Sequence, residues 1–343
     1  MLWQAFPNRR KGHAPVSNLE VRIETFDSIG EDWERLLGES SDLSPFATSA
    51  WQQTWWQMFG DDADLKLLTV IQDGDVKGLA PFMRRGNEVS FLGESDLVDY
   101  HHFLHSGIED AAFYDTVFGH LSAVESLSSV RLTSIPEWSP AYKAVPPAAR
   151  AAGWHVEETF EDVSPGIELT DTWDDYVSGL NKKDRHELRR KLRRLERSCE
   201  INHVEYCTPE DITANLDEFV RLHRMSTPDK AEFMTDYREE FFRAVVINLA
   251  KVGVSHLYFL EVDGVRAATS ICFVHGDSQL VYNSGYDPEH RALSVGLLNH
   301  AMTIKLAIEN GVRYFDFLRG DESYKYHLGA HDRSLYNLVI TRA

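Results

Sequence analysis

The stretch that most constrains the fold is 279–330, QLVYNSGYDPEHRALSVGLLNHAMTIKLAIENGVRYFDFLRGDESYKYHLGA. It reads as strand, loop, helix, strand, loop and short helix. Residues 279–282 are strand formers, and Gly285-Tyr-Asp-Pro288 is turn chemistry. Ser294 stands where it can cap a helix, and the apolar positions Leu297, Leu298, Ala301, Ile304, Ala307 and Ile308 follow a period near 3.6. Asn310-Gly311 ends that helix, and 312–318 returns as a short buried strand. A helix between two strands, entered through a loop with Arg291, Ser294 and Gly296, presents free backbone N–H groups to an anion. The loop is a cradle for the phosphates of a ligand.

Beyond the second strand lie Asp316, Asp321, Glu322, Tyr324 and Lys325. With these residues the stretch resembles the GNAT acyltransferase superfamily. The likeness is greatest to its two-domain members, the CelD-type (cellulose-biosynthesis-associated) acetyltransferase-like proteins and the related Fem aminoacyl ligases. The matching residues are Gly285-Tyr-Asp, the loop 291–296, the helix end 307–311, Asp316-Phe-Leu-Arg-Gly-Asp-Glu-Ser-Tyr-Lys325 and the upstream basic run 182–197. The resemblance spans about residues 20–343. It implies an α/β (mixed α+β) fold of two tandem GNAT-like domains, each a mixed, mostly antiparallel sheet flanked by helices. It also implies acetyl-CoA or another acyl-CoA as co-substrate, an amine or hydroxyl acceptor, and envelope or exopolysaccharide biosynthesis as the setting. Arg291, Ser294, Val295 and Gly296 become the cofactor-binding residues. Tyr324 becomes the acid, with Tyr326 as substitute. Asp316 or Asp321 is the base or orients the acceptor, and Lys325 pairs with one of them or with an acceptor phosphate. One departure stands out. The superfamily loop is Arg/Gln-x-x-Gly-x-Gly/Ala, and Ser294 replaces its first glycine.

At 343 residues the chain has room for two cores, and 43% hydrophobic content is ordinary for globular proteins. The order of elements divides it into a tail over 1–18, read as disordered, and domains over 19–164 and 165–343. The second domain is the cofactor-binding and catalytic one. The first has no counterpart to the loop 291–296, since 100–107 lacks its arginine and phosphate-facing glycine. The hairpins at Asp73-Gly74-Asp75 and Asp263-Gly264 hold equivalent places. No run reaches the length of a membrane span, and the first residues lack the apolar core of a secretory signal. Three cysteines (Cys199, Cys207, Cys272) without metal spacing fit a reducing cytoplasm.

A net charge of −19 argues against a general nucleic-acid binder. Against that background, 182–197 holds nine Lys or Arg and three acids, with Leu188, Leu192 and Leu195 on one face. Two readings stand: a solvated helix face, or a device in which Arg189, Arg190, Arg193 and Arg194 draw in an anionic acceptor such as a saccharide or other small molecule. The stripe Trp51, Trp55 and Trp56 reads as core, with a ligand-stacking wall as the alternative. The cluster Asp96, Asp99, His101, His102 and His105 matches no zinc spacing, and no metal is expected. A Gly-x-Ser-x-Gly elbow, a Walker loop and Gly-x-Gly-x-x-Gly are all missing from the sequence. What remains is direct transfer from a thioester, which needs a phosphate cradle, a polarised carbonyl, a base and an acid. The rival classes are a Fem-like ligase using aminoacyl-tRNA and a binding module that keeps the fold without chemistry.

Overall fold

The structure is a computed structural model, and it describes residues 19–40, 44–93 and 96–342. The tail expected over 1–18 lies outside the described residues. The first half runs β1 (Leu19–Glu24), α1 (Phe26–Glu39), α2 (Ser49–Phe59), β2 (Asp64–Gln72), β3 (Asp75–Arg85), β4 (Glu88–Phe91), β5 (Leu104–His105), α3 (Asp110–Ala123), β6 (Ser129–Pro136), α4 (Pro140–Ala151) and β7 (Trp154–Val163). The second half runs β8 (Gly166–Glu168), α5 (Trp173–Gly179), α6 (Lys182–Ser198), β9 (Ile201–Tyr206), α7 (Pro209–Ser226), α8 (Pro228–Phe233), α9 (Asp236–Lys251), β10 (Ser255–Val262), β11 (Val265–His275), β12 (Ser278–Tyr286), α10 (Val295–Glu309), β13 (Tyr314–Asp316), α11 (Ser323–His327) and β14 (Ser334–Arg342).

Two mixed sheets result, flanked by helices. The first has the order β1-β2-β3-β4-β6-β14-β7 with β5 on β3; the second, β9-β10-β11-β12-β13-β8. Each contains a hairpin whose two turn residues are Asp-Gly. Both take positive φ (54° and 94° at Asp73-Gly74, 51° and 78° at Asp263-Gly264), as the tight turn matching strand twist requires. Each also contains one parallel pair, β4–β6 and β12–β13, linked in register over three residues.

The sheets exchange strands. β14, the last strand of the chain, lies between β6 and β7 of the first sheet, antiparallel to both. β8, which follows β7, adds antiparallel to β13 in the second. A division at 164/165 assigns 334–342 to the second domain by sequence, whereas its ladder bonds belong to the first. The packing is also continuous between the halves. Trp51 and Trp55 are fully buried, and Trp51 meets Phe241, Phe273 and Tyr282 edge to face at 5.6, 5.8 and 5.3 Å. The tryptophan stripe is therefore core between the two halves, where such pairs add about 1 kcal/mol each beyond burial.

Polar groups close the same seam. Arg319 pairs with Asp99 (3.3 Å) and Glu161 (2.8 Å), and Glu161 also accepts from the backbone N–H and hydroxyl of Ser134 (2.8 and 3.1 Å). Among the described residues no group of three His, Cys, Asp or Glu is placed to hold an ion. His101 stacks on Phe91 with its Nδ1 3.0 Å from the Thr133 carbonyl, and Asp96 pairs with Arg238. No helix among the described residues is long and apolar enough to cross a membrane.

Candidate active site

The cleft follows from the pairing of β12. On one side β12 is bonded to β11 along to Tyr286; on the other, β13 reaches only Ser278, Gln279 and Leu280. Beyond Leu280 the two parallel strands separate. The chain leaves β12 through a 3₁₀ turn, Pro288–Leu293, and enters α10, whose N-terminus stands against the unpaired half of β12. The strand is longer than its sequence suggests, because Gly285 and Tyr286 stay extended and the turn begins at Asp287. Glycine at 285 is required by packing: a Cβ there would stand 2.5 Å from the His223 backbone nitrogen on α7.

A cavity of about 370 Å³ occupies this opening, and its walls include Lys230, Ser284, Arg291, Ser294, His300 and Tyr324. All four residues expected to hold the cofactor, Arg291, Ser294, Val295 and Gly296, line it. Ser294 does not act as the expected cap. It takes a left-handed conformation (φ 61°) and makes no side-chain cap bond, so the first-turn N–H groups of α10 have no carbonyl partners within the helix. Left-handed backbone costs a non-glycine residue about 1–2 kcal/mol. The Ser294 hydroxyl is used differently: it accepts from Lys191 Nζ at 3.2 Å and Arg194 Nη2 at 3.3 Å, both on α6.

The geometry fits a diphosphate. Helix dipole and unpaired N–H groups favour negative charge at this end of α10. Arg291 supplies a cation to the lining, which contains no Asp or Glu, and Lys191 and Arg194 stand behind it on the Ser294 hydroxyl. Gly296 lies close under Tyr286, with 3.3 Å left between a Cβ and the ring, so the loop lies tight against β12.

The candidate catalytic residues part company. Tyr324 lines the cleft, stacks on His300 at 5.2 Å, and is held by burial well above its usual pKa. It therefore keeps its proton at neutral pH. Asp316 lies elsewhere, 4% exposed, between the halves. It accepts from Tyr100 Oη (2.8 Å), Ser164 Oγ (3.2 Å) and the Leu318 N–H (2.8 Å), and burial pushes its pKa up to about 6. Lys325 is 1% exposed, and its ammonium donates to the carbonyls of Leu318 (3.0 Å), Arg319 (2.8 Å) and Gly320 (2.9 Å) and pairs with Glu322 (2.9 Å). It fastens the turn that carries Leu318 in a left-handed conformation (φ 58°) and places α11. Asp321 is exposed and precedes α11 without capping it; the N-cap position is Glu322. Tyr326 points to Asp332 at 2.7 Å. On α6, Arg189 and Arg193 are exposed, and Arg190 pairs with Glu187 at 2.8 Å. Of the four arginines named for the acceptor, Arg194 is the one that touches a cleft residue, Ser294.

Two groups that sequence reasoning missed complete the site. Lys230 comes from α8, in the short segment between two long helices. Its ammonium donates to the Ser284 carbonyl, and burial lowers its pKa to about 8. His300 sits one turn below Gly296 on the same face of α10, a spacing that helix periodicity alone could have supplied. Burial, then the nearby Lys230 and Lys325, lower its pKa to about 3, and its Nδ1 has no hydrogen-bond partner.

Residues 182–326 match the family model described as acetyltransferase (GNAT) domain. Among solved structures, FemX superposes with a TM-score of 0.63 at 12% identity, covering 93% of this chain and 96% of that one. L-PGS from Bacillus licheniformis gives 0.55 at 11% identity, with 91% of each chain covered. A tandem GNAT protein from the clavulanic acid biosynthesis pathway gives 0.52 at 13%, covering 94% and 98%. No curated protein matches the chain. These likenesses are of fold, and they agree with the two-sheet plan traced above. Residues 182–326 thus match the model of a GNAT domain, and the two-sheet plan shares the fold of a tandem GNAT protein.

Proposed function

We propose that the protein is an N- or O-acyltransferase that moves an acyl group, acetyl in the simplest case, from acyl-CoA to an amine or hydroxyl acceptor. The observation that carries this reading is the cleft itself. A phosphate-ready helix terminus opens onto a separated parallel strand pair, with a protonated phenol stacked on His300 one helical turn deeper. Acyl-CoA, when bound, supplies an acyl carbonyl already activated as a thioester. Arg291, with the amides of Val295 and Gly296, would hold its diphosphate, and the open edge of β12 would take the extended arm.

In this reading Tyr324 holds the proton destined for the departing thiolate, oriented by its stack on the neutral ring of His300. Lys230 replaces Asp316 and Asp321 as the base. It lines the cleft and titrates near 8, whereas Asp316 is sealed between the halves and Asp321 lies outside the lining. Attack on the thioester needs one proton taken from the acceptor and one given to sulfur, and Lys230 and Tyr324 provide one site for each. Envelope or exopolysaccharide biosynthesis remains the proposed setting, with the cytoplasm as the compartment and a saccharide or other small molecule as acceptor.

The exposed cationic face of α6 favours a second reading, in which an aminoacyl-tRNA is the donor. A thermal-shift panel of acetyl-CoA, longer acyl-CoAs and aminoacyl-tRNA analogues separates the two. Acetyl-CoA at 100 times its Kd should add about 2.7 kcal/mol of stability. A shift with aminoacyl-tRNA analogues alone would replace the first reading by the second. Arg291→Ala should weaken CoA binding by roughly 1.5–3 kcal/mol, the scale of a hydrogen bond to a charged group.

A further inference from the structure

α6 packs beside the loop that enters α10, and two of its cations meet at one neutral atom of a cleft residue. Lys191 Nζ and Arg194 Nη2 both donate to the Ser294 hydroxyl, which places them no more than about 6.5 Å apart. Among the described residues neither forms an ion pair with a carboxylate, although the chain has 54 acids to 35 Lys and Arg. The cations Arg189, Arg193 and Arg197, unpaired among the described residues, lie exposed in water, whereas Lys191 and Arg194 are half-buried against Ser294. Arg194 Nε is in addition buried without any hydrogen-bond partner. Buried donors are ordinarily satisfied, and an orphan on a guanidinium is costly. Two like charges sharing one hydroxyl, with a third donor idle beside them, is an arrangement that a multiply charged anion completes and a neutral ligand does not.

The strain at Ser294 belongs to the same account. A glycine would hold the left-handed conformation at no cost. Serine keeps it and supplies the oxygen on which α6 rests.

We propose that Lys191 and Arg194 are ligands of the donor's diphosphate, so that α6 forms a second, cationic wall facing the α10 N-terminus. The inference rests on the acyl-CoA reading for the identity of the donor. It reassigns Arg194 from acceptor to donor and adds Lys191. With Arg291 the site then holds three cations and the unpaired amides of α10, a match for a diphosphate rather than for a single carboxylate.

The test is isothermal titration calorimetry on the full-length protein with CoA and with pantetheine, which lacks the phosphates, at 50 and 300 mM salt. Three proteins are compared: wild type, Lys191→Met/Arg194→Met, and Arg197→Met as a control that removes one charge from an exposed position of the same helix. The double variant should bind CoA about 100-fold more weakly, from two charge-assisted contacts at roughly tenfold each. It should also lose most of the salt dependence. Its pantetheine affinity and the Arg197→Met control should stay within about threefold of wild type. If wild type binds CoA and the double variant binds it equally well, the inference is overturned while the acyl-CoA reading stands. Equal losses for CoA and pantetheine overturn it too, since α6 would then be shaping the cleft as a whole. If wild type binds neither ligand, the acyl-CoA reading itself falls.

Discussion

Replacing Asp316 by asparagine separates a buried structural carboxyl from a catalytic base. Burial raises its pKa from 3.8 to about 6, and the bonds from Leu318 N–H, Tyr100 and Ser164 offset only part of that rise. A folded-state pKa above the unfolded value means that the native state binds more protons between those two values. Stability contributed by this group is therefore complete below 3.8 and is lost as pH rises through about 6. At ~1.4 kcal/mol per pH unit, the native state at pH 7.5 carries a cost of ~3 kcal/mol from ionising this side chain. The substituted side chain cannot ionise, and its amide oxygen can still accept from the Leu318 N–H. Asp316→Asn should match wild type in urea denaturation at about pH 3.5 or below. At pH 7.5 it should be more stable by roughly 1.5–3 kcal/mol, with acyl transfer within a few-fold of wild type. A variant of unchanged stability at both pH values that loses 10³-fold in kcat would refute this reasoning and restore Asp316 as a base.

Tyr324→Phe should cut kcat by roughly 10–10³-fold on a verified acceptor while leaving CoA binding intact, and a variant that turns over normally excludes Tyr324 as the acid. Lys325→Met should destabilise by about 2–4 kcal/mol in urea, because three carbonyls lose their shared donor in a buried turn; a change below 0.5 kcal/mol would show that the turn holds itself. Charge reversal at Arg189 and Arg193, both exposed, should raise the acceptor KM and flatten its salt dependence with CoA affinity unchanged. Lowered stability with unchanged KM would mark a solvated face.

Much of this molecule is local in origin, and those parts were legible. The Asp-Gly hairpins, the periodic apolar face of α10 and the leucine seam of α6 are each specified within one or two turns or strands, so their signals survive in a single sequence. The loop 291–296 that lines the cavity was legible for the same reason. The rest depends on partners far away in the chain. A lysine four residues after Asp321 reads as a surface or catalytic group. Only a left-handed turn at Leu318, aiming three carbonyls inward, makes it a buried fastener. Asp316 reads as a base at a strand end, and it is Tyr100, 216 positions earlier, that closes it off. Arg194 and Arg193 are neighbours of identical chemistry. Helix phase turns one to Ser294 and the other to solvent, and that distinction appears once α10 has docked. Lys230 was missed because a six-residue helix between two strongly periodic ones leaves little pattern to read.

The exchange of β14 for β8 sets an order of assembly during synthesis. A ribosome delivers the first sheet's strands early, but β6 and β7 have no ladder between them until β14 is inserted, and β14 is the last strand to emerge. Throughout elongation the nascent first half presents two unpaired edges flanking a one-strand gap, an arrangement prone to recruit foreign strands. The second sheet needs only β8, which has already left the tunnel by then. The half bearing the cleft can therefore form its complete sheet before its older sibling.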